Sequence, residues 1–440
     1  MNDISTTKAA SDADRSQLPL AGLRVIEFCH VVMGPSCGLV LAELGADVIK
    51  VEPAPGGDRT RALKGHVAGA FTYFNRSKKS IGLDLKSAGG RAIAHRLLAE
   101  ADVMTENYAP GTADRLGIGW DDISKLNPRL IYCSLKGFLP GPYEKRTALD
   151  ELVQFSTGLA YMTGYPGKPV RCGASVVDIM GGVFGVVGIL AALHRRHQTG
   201  KGERVQSALY ESSAFMVGQH MAAEVQTGVA PDPLPIRPRS WGIYDTFTAG
   251  DDRVIFVGIT SDKQWKNFCE RFERMDLFAD SRYDSNEKRR AEHGELHATL
   301  QKIFSGYPCT PLIDILVDIG LPAAPMYKPG DLFEDPLRQR QGRQTAAPAR
   351  RHRRRYGDDE RPGPRLRRTY RQRAVGHGDQ RRRHRQAAQS RRHRLRDAVC
   401  PKRAECDGPV RPDDRFGVGT QSGTILALGW LGAEKVKTRP

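Results

Sequence analysis

The runs LRVIEF (23–28) and ADVIKVE (46–52) decide the fold. Each is short and largely apolar along its whole length, the pattern of a strand covered on both faces rather than on one. Between them lies HVVMGPSCG (30–38), read as a Gly-Pro turn at Gly34 and Pro35 followed by a helix over 36–44. Strand, helix, strand in this order places the two strands in parallel. Working outward, the loop PAPGGDR (53–59) leads to a third strand, SIGLDL (80–85), and a helix over 88–100. DVMTEN (102–107) and LIYCSL (130–135) add two more strands. The reading is an α/β fold with a doubly wound, mostly parallel sheet, whose ligands belong at the carboxyl ends of the strands.

A long helix is expected over 178–197. Its apolar stretch, 179–193, is 15 residues, shorter than the roughly 20 a bilayer span requires, so it reads as a core helix. Gly181, Gly182, Gly185 and Gly188 fall near one face and would admit a close neighbour. TGKGERV (199–205) turns into a further strand, and the Pro-rich VAPDPLPIRPR (229–239) is a connector. Beyond it a smaller α+β unit is expected, with RVIFVGIT (253–260) its clearest strand and QWKNFCERF (264–272) its clearest helix. The domains are therefore a disordered N-terminus (1–19), a large domain (20–228), the linker (229–239) and a small domain (240–337).

The 440 residues carry 67 Lys and Arg against 50 Asp and Glu, a net charge of +17. All of that excess lies in 338–415, which holds 25 Arg, one Lys and nine acids. The remainder is balanced, with 41 bases and 41 acids, so the global charge says nothing about the partners of the folded part. The Arg-rich segment has no Ile, Phe, Met or Trp and only two Leu, too little apolar surface to offset chain entropy. A nucleic-acid-binding tail and a solvated linker are two readings of it. The one adopted is an out-of-frame translation of a GC-rich gene, because basic arms ordinarily mix Lys with Arg. Ordinary sequence also resumes at GVGTQSGTILALGW (417–430), read as a C-terminal helical remnant of the large domain within 416–440. Resequencing the gene tests this, and an intact conventional frame would contradict it. The polar N-terminus gives no secretory signal, and the eight scattered cysteines lack Cys-x-x-Cys or metal-ligand spacing. A reduced, cytoplasmic protein without a metal is expected.

Neither a Gly-x-Gly-x-x-Gly fingerprint nor a P-loop follows the first strand, and the histidines are not spaced as metal ligands or as a hydrolase triad. The informative carboxylates are Asp150, Glu151 and Asp178. Asp178 stands at the start of the Gly-rich helix, where position alone favours a plain N-cap. The free amides there could instead stabilise an oxyanion formed when a carboxylate attacks an activated acyl group.

Seven blocks, in order, now carry a resemblance: LAGLRVIEFCHVVMGP, LAELGADVIKVE, GGDRTR, FNRSKKSIGLDLK, ADVMTENYAPGTADRLG, NPRLIYCSLKGF and VVDIMGGVFGVVGILAALHRRHQTGKGERV. Over 20–337, and again over 416–440, the chain resembles the class III CoA-transferases. That family includes formyl-CoA and carnitine CoA-transferases, the bile-acid-induced transferases and the methylacyl-CoA racemases. The resemblance implies a Rossmann-like large domain with a smaller α+β domain, and an interlocked homodimer. It implies coenzyme A as substrate rather than as a permanently bound cofactor, and Asp178 as nucleophile. By position it assigns CoA contacts to Val32, Met33, Leu83, Asp84, Leu85, Lys86, Asn107, Tyr108 and Arg115. Asp150 and Glu151 become supporting groups near the thioester.

Three departures narrow the substrate. Formyl-CoA transferases carry Gln where Val32 stands and Arg where Pro53 stands, which disfavours formate and oxalate. The racemases carry His where Leu149 stands, and racemisation needs a base on each face of the α-carbon. A transferase is therefore favoured over a racemase or isomerase on the same scaffold. The run CSLKGFLPGPYEKRTALDELVQ (133–154) looks like the subgroup acting on small dicarboxylates. Arg171, Arg237 and Arg239 are the candidate counterions for a free substrate carboxylate. Expected partners are an acyl-CoA, a carboxylic acid and a second copy of the chain. Neither a membrane nor a nucleic acid is expected, save non-specifically through 338–415.

Overall fold

The computed structural model describes residues 16–335 and the two-residue strand Thr424–Ile425. The strands of the large sheet are β1 (Arg24–Phe28), β2 (Asp47–Pro53), β3 (Lys79–Leu83), β4 (Val103–Glu106), β5 (Ile131–Lys136) and β6 (Arg204–Ala208). Together with Thr424–Ile425 they form one sheet in the order Thr424–Ile425, β6, β5, β4, β1, β2, β3, with every pairing parallel. The run that decided the fold behaves as its composition requires. Val25 packs in the core on one face of the sheet and Ile26 in the core on the other, both buried.

The strand order reverses between β1 and β4, the crevice where such sheets take ligands. The loops leaving these two strands begin at Cys29 and Asn107, and the site described below is built on them.

The first helix, α1 (Met33–Glu43), starts three residues earlier than expected, so the Gly-Pro pair lies inside its first turn. Pro35 is tolerated there because the first amides of a helix have no intrahelical acceptor, and proline gives up only an orphan donor. After β3 comes α2 (Ala88–Ala99), capped by the Ser87 hydroxyl, which accepts the Gly90 N–H at 3.0 Å. Later helices of this domain include α3 (Asp150–Ser156), α4 (Val176–Thr199) and α5 (Leu209–Thr227).

By length and composition α4 could cross a membrane, yet it packs within the large-domain core, with Val177, Val186, Ile189 and Ala192 buried. Its glycines explain how close the neighbours come. A Cβ on Gly182 would sit 2.6 Å from the Met33 carbonyl oxygen, and one on Gly185 would sit 2.7 Å from Leu135. The bare helix face thus brings the start of α1 against the start of α4.

The small domain has its own core around Trp265, Phe268, Leu300 and Phe304. Its antiparallel sheet orders β7 (Ile243–Thr248), β8 (Val254–Ile259) and β9 (Ala323–Pro325), flanked by α6 (Asp262–Arg271), α7 (His293–Phe304) and α8 (Cys309–Asp318). The expected strand at 253–260 and helix at 264–272 are present in β8 and α6. In the C-terminal stretch read as helical, Thr424–Ile425 instead extends the large sheet beside Val205 and Gln206. The rest of that stretch, the segment 338–415 and residues 1–15 lie outside the described residues.

Candidate active site

Asp178 is the third residue of α4, so it is not the cap that position alone suggested. Ser175 occupies the N-cap position without a side-chain bond. The cap comes from another helix. Asp150, the first residue of α3 and buried, accepts the N–H of Val177 at 2.9 Å and of Asp178 at 3.1 Å on Oδ2, and the Gln154 amide at 2.6 Å on Oδ1. Gln154 in turn accepts the Cys172 N–H at 2.9 Å, tying down the irregular segment that leads into α4. Two of the amides that could have served an oxyanion are thereby spent on Asp150.

This arrangement leaves the Asp178 carboxylate without a hydrogen-bond or ion-pair partner among the described residues. Burial, with the negative charge of Asp150 added to it, pushes its pKa up to about 7. Asp178 opens on a cleft of about 310 Å³ lined by His30, Val31, Met33, Asn107, Tyr108 and the loop 144–149.

The β1–α1 loop is held from several sides. Asn107 Oδ1 accepts the His30 N–H at 2.9 Å, and its Nδ2 donates to the His30 carbonyl at 2.8 Å, bridging the crevice between β1 and β4. Val31, between these anchors, has φ 64°, a conformation a β-branched residue adopts only under constraint. Lys50 Nζ donates to the Cys29 carbonyl, and Lys78 Nζ to the Pro35 carbonyl at 2.9 Å. Both lysines are almost fully buried and share the buried Glu27 carboxylate, at 3.4 and 2.8 Å, while Asp58 lies 3.1 Å from Lys50. Buried charges persist only when paired in this way.

A second cleft, of about 270 Å³, brings together Glu52, Pro53, Leu83, Asp84, Leu85 and Lys86, and Tyr108 lines both clefts. Burial raises the Glu52 pKa, but bonds from Arg61, Ser80 and the Asp58 amide prevail and bring it down to about 2.

Of the residues expected to meet CoA, Met33, Asn107 and Tyr108 thus share the Asp178 cleft, and Leu83, Asp84, Leu85 and Lys86 share its neighbour. Val32 is the N-cap residue of α1, between two cleft-lining residues. Arg115 lines neither cleft and donates to the Thr112 hydroxyl at 2.8 Å, though the next residue, Leu116, lines the second. Glu151 points to solvent, where it pairs with Arg171 at 2.9 Å. Arg237 donates to the Asp232 carbonyl, and Arg239 pairs with Asp245 at 2.8 Å. None of these three arginines lines the Asp178 cleft, and each has a partner of its own.

Sequence reasoning passed over Lys136, at the end of β5. Its ammonium donates to Glu106 and to the Tyr108 carbonyl, both at 2.7 Å, and lines the Asp178 cleft. It stood in the quoted run NPRLIYCSLKGF, and its place at the carboxyl end of a strand was the available signal.

Known proteins agree with this architecture. Acetyl-CoA:oxalate CoA-transferase of Acetobacter aceti is 36% identical over 314 residues, covering 70% of this chain and 80% of the relative. Succinyl-CoA:mesaconate CoA-transferase of Haloarcula hispanica is 34% identical over 337 residues, covering 72% and 82%. Among solved structures, a CAIB/BAIF family protein from Brucella suis superposes with a TM-score of 0.67 at 33% identity, covering 74% of this chain and 88% of that one. The family model for CoA-transferase family III matches residues 20–355, and the chain belongs to that family.

Proposed function

We propose that this chain moves CoA between an acyl-CoA thioester and a small dicarboxylic acid, with Asp178 as the covalent nucleophile. The observation that carries the reading is the division of labour between two aspartates at one helix start. Asp150 satisfies the helix amides, and Asp178 is left unpartnered, poorly solvated and open to the cleft. A carboxylate stripped of water and donors is a stronger nucleophile than one in solution.

Asp178 attacks the thioester carbonyl carbon, the C–S bond breaks, and a mixed anhydride forms with release of CoA thiolate. The thiolate then attacks the Asp178 carboxyl carbon, expelling the donor acid as its carboxylate and leaving an aspartyl-CoA thioester. The acceptor carboxylate attacks that thioester and the same two steps run backwards. Each step exchanges one anion for another, so no net proton transfer is required. A racemase would need a second free base beside the α-carbon. Leu149 cannot supply one, and the Asp150 carboxylate is already occupied by three donors.

The relatives' names run from oxalate to malate, mesaconate and glutarate. The acid is accordingly taken as a dicarboxylate of open length, oxalate included, against the expectation drawn from Val32 and Pro53. The cytoplasm and a homodimer belong to the same proposal. The test is CoA transfer from succinyl-CoA to a panel of dicarboxylates. Wild-type enzyme should transfer and Asp178→Asn should not, whereas equal activity in the two would sink the assignment.

A further inference from the structure

The geometry points to Arg146, with Lys145 beside it, as the subsite for the second carboxylate of the acid substrate, an inference that rests on the transferase reading above. Both residues line the cleft onto which Asp178 opens. Neither has an acidic side chain in ion-pair contact among the described residues, in contrast to Arg171 and Arg239.

What holds Arg146 is aromatic. Its guanidinium lies 4.0 Å from the centre of the Tyr143 ring, and Tyr143 packs edge-on against Phe138 and Tyr210, with ring centres 5.7 and 6.1 Å away. A cation over a ring face is oriented without consuming its N–H donors, which are left to grip a carboxylate in two parallel bonds.

The chain fixes this cation relative to the nucleophile. Residues 147–149 run directly from Arg146 into Asp150, whose carboxylate grips the Asp178 amide. Val31, Met33, Leu135 and Leu209 supply apolar wall in the same cleft, suited to a short carbon chain between two carboxylates. Glu144 also lines it and offsets one of the two positive charges, so a single anionic group is the natural guest. The phosphates of CoA are the competing anions, and substrate comparison separates the two.

The experiment measures acceptor kinetics with succinate and with butyrate, which has the same carbon count and one carboxylate, using acetyl-CoA as donor. In Arg146→Gln, kcat/KM for succinate should fall about 10- to 100-fold, the worth of a charged hydrogen-bonded contact. Butyrate and the KM for acetyl-CoA should be unchanged, and Arg146→Lys should recover part of the loss. Equal effects on both acids, or none on either, would overturn the subsite. A raised KM for acetyl-CoA would overturn it in favour of a CoA phosphate. If wild-type enzyme transfers CoA neither from acetyl-CoA to these acids nor from succinyl-CoA to any other dicarboxylate, the transferase reading fails and takes the subsite with it. Arg146 is exposed, so the substitution should leave the fold intact.

Discussion

Oδ2 of Asp150 accepts the backbone N–H of Asp178 at 3.1 Å, so one aspartate caps the helix that carries the other. The contact does two opposing things. Negative charge at a helix N-terminus stabilises the helix. The same charge, added to the effect of burial, disfavours ionisation of the Asp178 carboxyl.

Removing the cap should separate these effects. Asp150→Ala leaves the Val177 and Asp178 amides and the Gln154 side chain without their acceptor, and should cost about 1–3 kcal/mol in unfolding free energy. Asp150→Asn keeps an acceptor but drops the charge, so the Asp178 pKa should move down from about 7. Single-turnover CoA release against pH reads this directly. Release should rise through about pH 7 in the wild type, and at lower pH in Asp150→Asn. An inflection at the same pH in both would show that Asp150 does not tune the nucleophile.

Stability should carry the same signature with a defined sign. The folded protein holds a proton on Asp178 up to about pH 7, whereas the unfolded chain gives it up near the ordinary carboxylate pKa of 3.8. Between these values the native state binds more protons, so this group's contribution to stability is full in acid and is lost as pH rises. Asp178→Asn should therefore gain on the wild type across that window, by on the order of 2–4 kcal/mol at pH 8. Chemical denaturation at pH 4 and pH 8 measures it, and a constant difference between the two would contradict the account.

The packing of α1 on α4 gives a steric prediction. A Cβ at position 182 would lie 2.6 Å from the Met33 carbonyl oxygen and 2.8 Å from the Ser36 side chain, so backbone must move. Gly182→Ala should cost about 1–3 kcal/mol and lower kcat, because Met33 and Asp178 share a cleft. Gly218→Ala, in α5 with open space around it, is the control and should be near neutral or mildly stabilising.

Asn107 spends both ends of its amide on His30, which makes it a positioning residue for the strained loop at Val31. Asn107→Ala should raise KM for acyl-CoA about tenfold, the worth of roughly one to two hydrogen bonds, with a smaller change in kcat. Asn107→Asp keeps the acceptor for the His30 N–H and should fall between. Steady-state kinetics settle it, and an unchanged KM would release the loop from this role.

The parallel sheet was legible in the sequence because strands covered on both faces are largely apolar, and β1, β2, β4 and β5 carry apolar side chains to both faces despite the buried charges Glu27, Lys50, Glu52 and Glu106. The role proposed for Asp178 came only through the motif blocks, since an Asp near a helix start is ordinarily a cap. What could not be read was the capping in trans. Asp150 and Asp178 are 28 residues apart and meet only after α3 packs against α4. The three arginines chosen for a substrate carboxylate do not line the Asp178 cleft. Residue type announces an available charge, but the folded chain had already paired Arg171 and Arg239, whereas Arg146 is held by a ring face that no acid-base pattern reveals.

The most direct test of the central claim is intact-mass analysis of the enzyme incubated with succinyl-CoA and trapped with hydroxylamine, followed by peptide mapping. A hydroxamate confined to Asp178 is expected, absent without the donor and absent from Asp178→Asn. Folded, dicarboxylate-exchanging enzyme with no modification at Asp178, or with one at another residue, would contradict it.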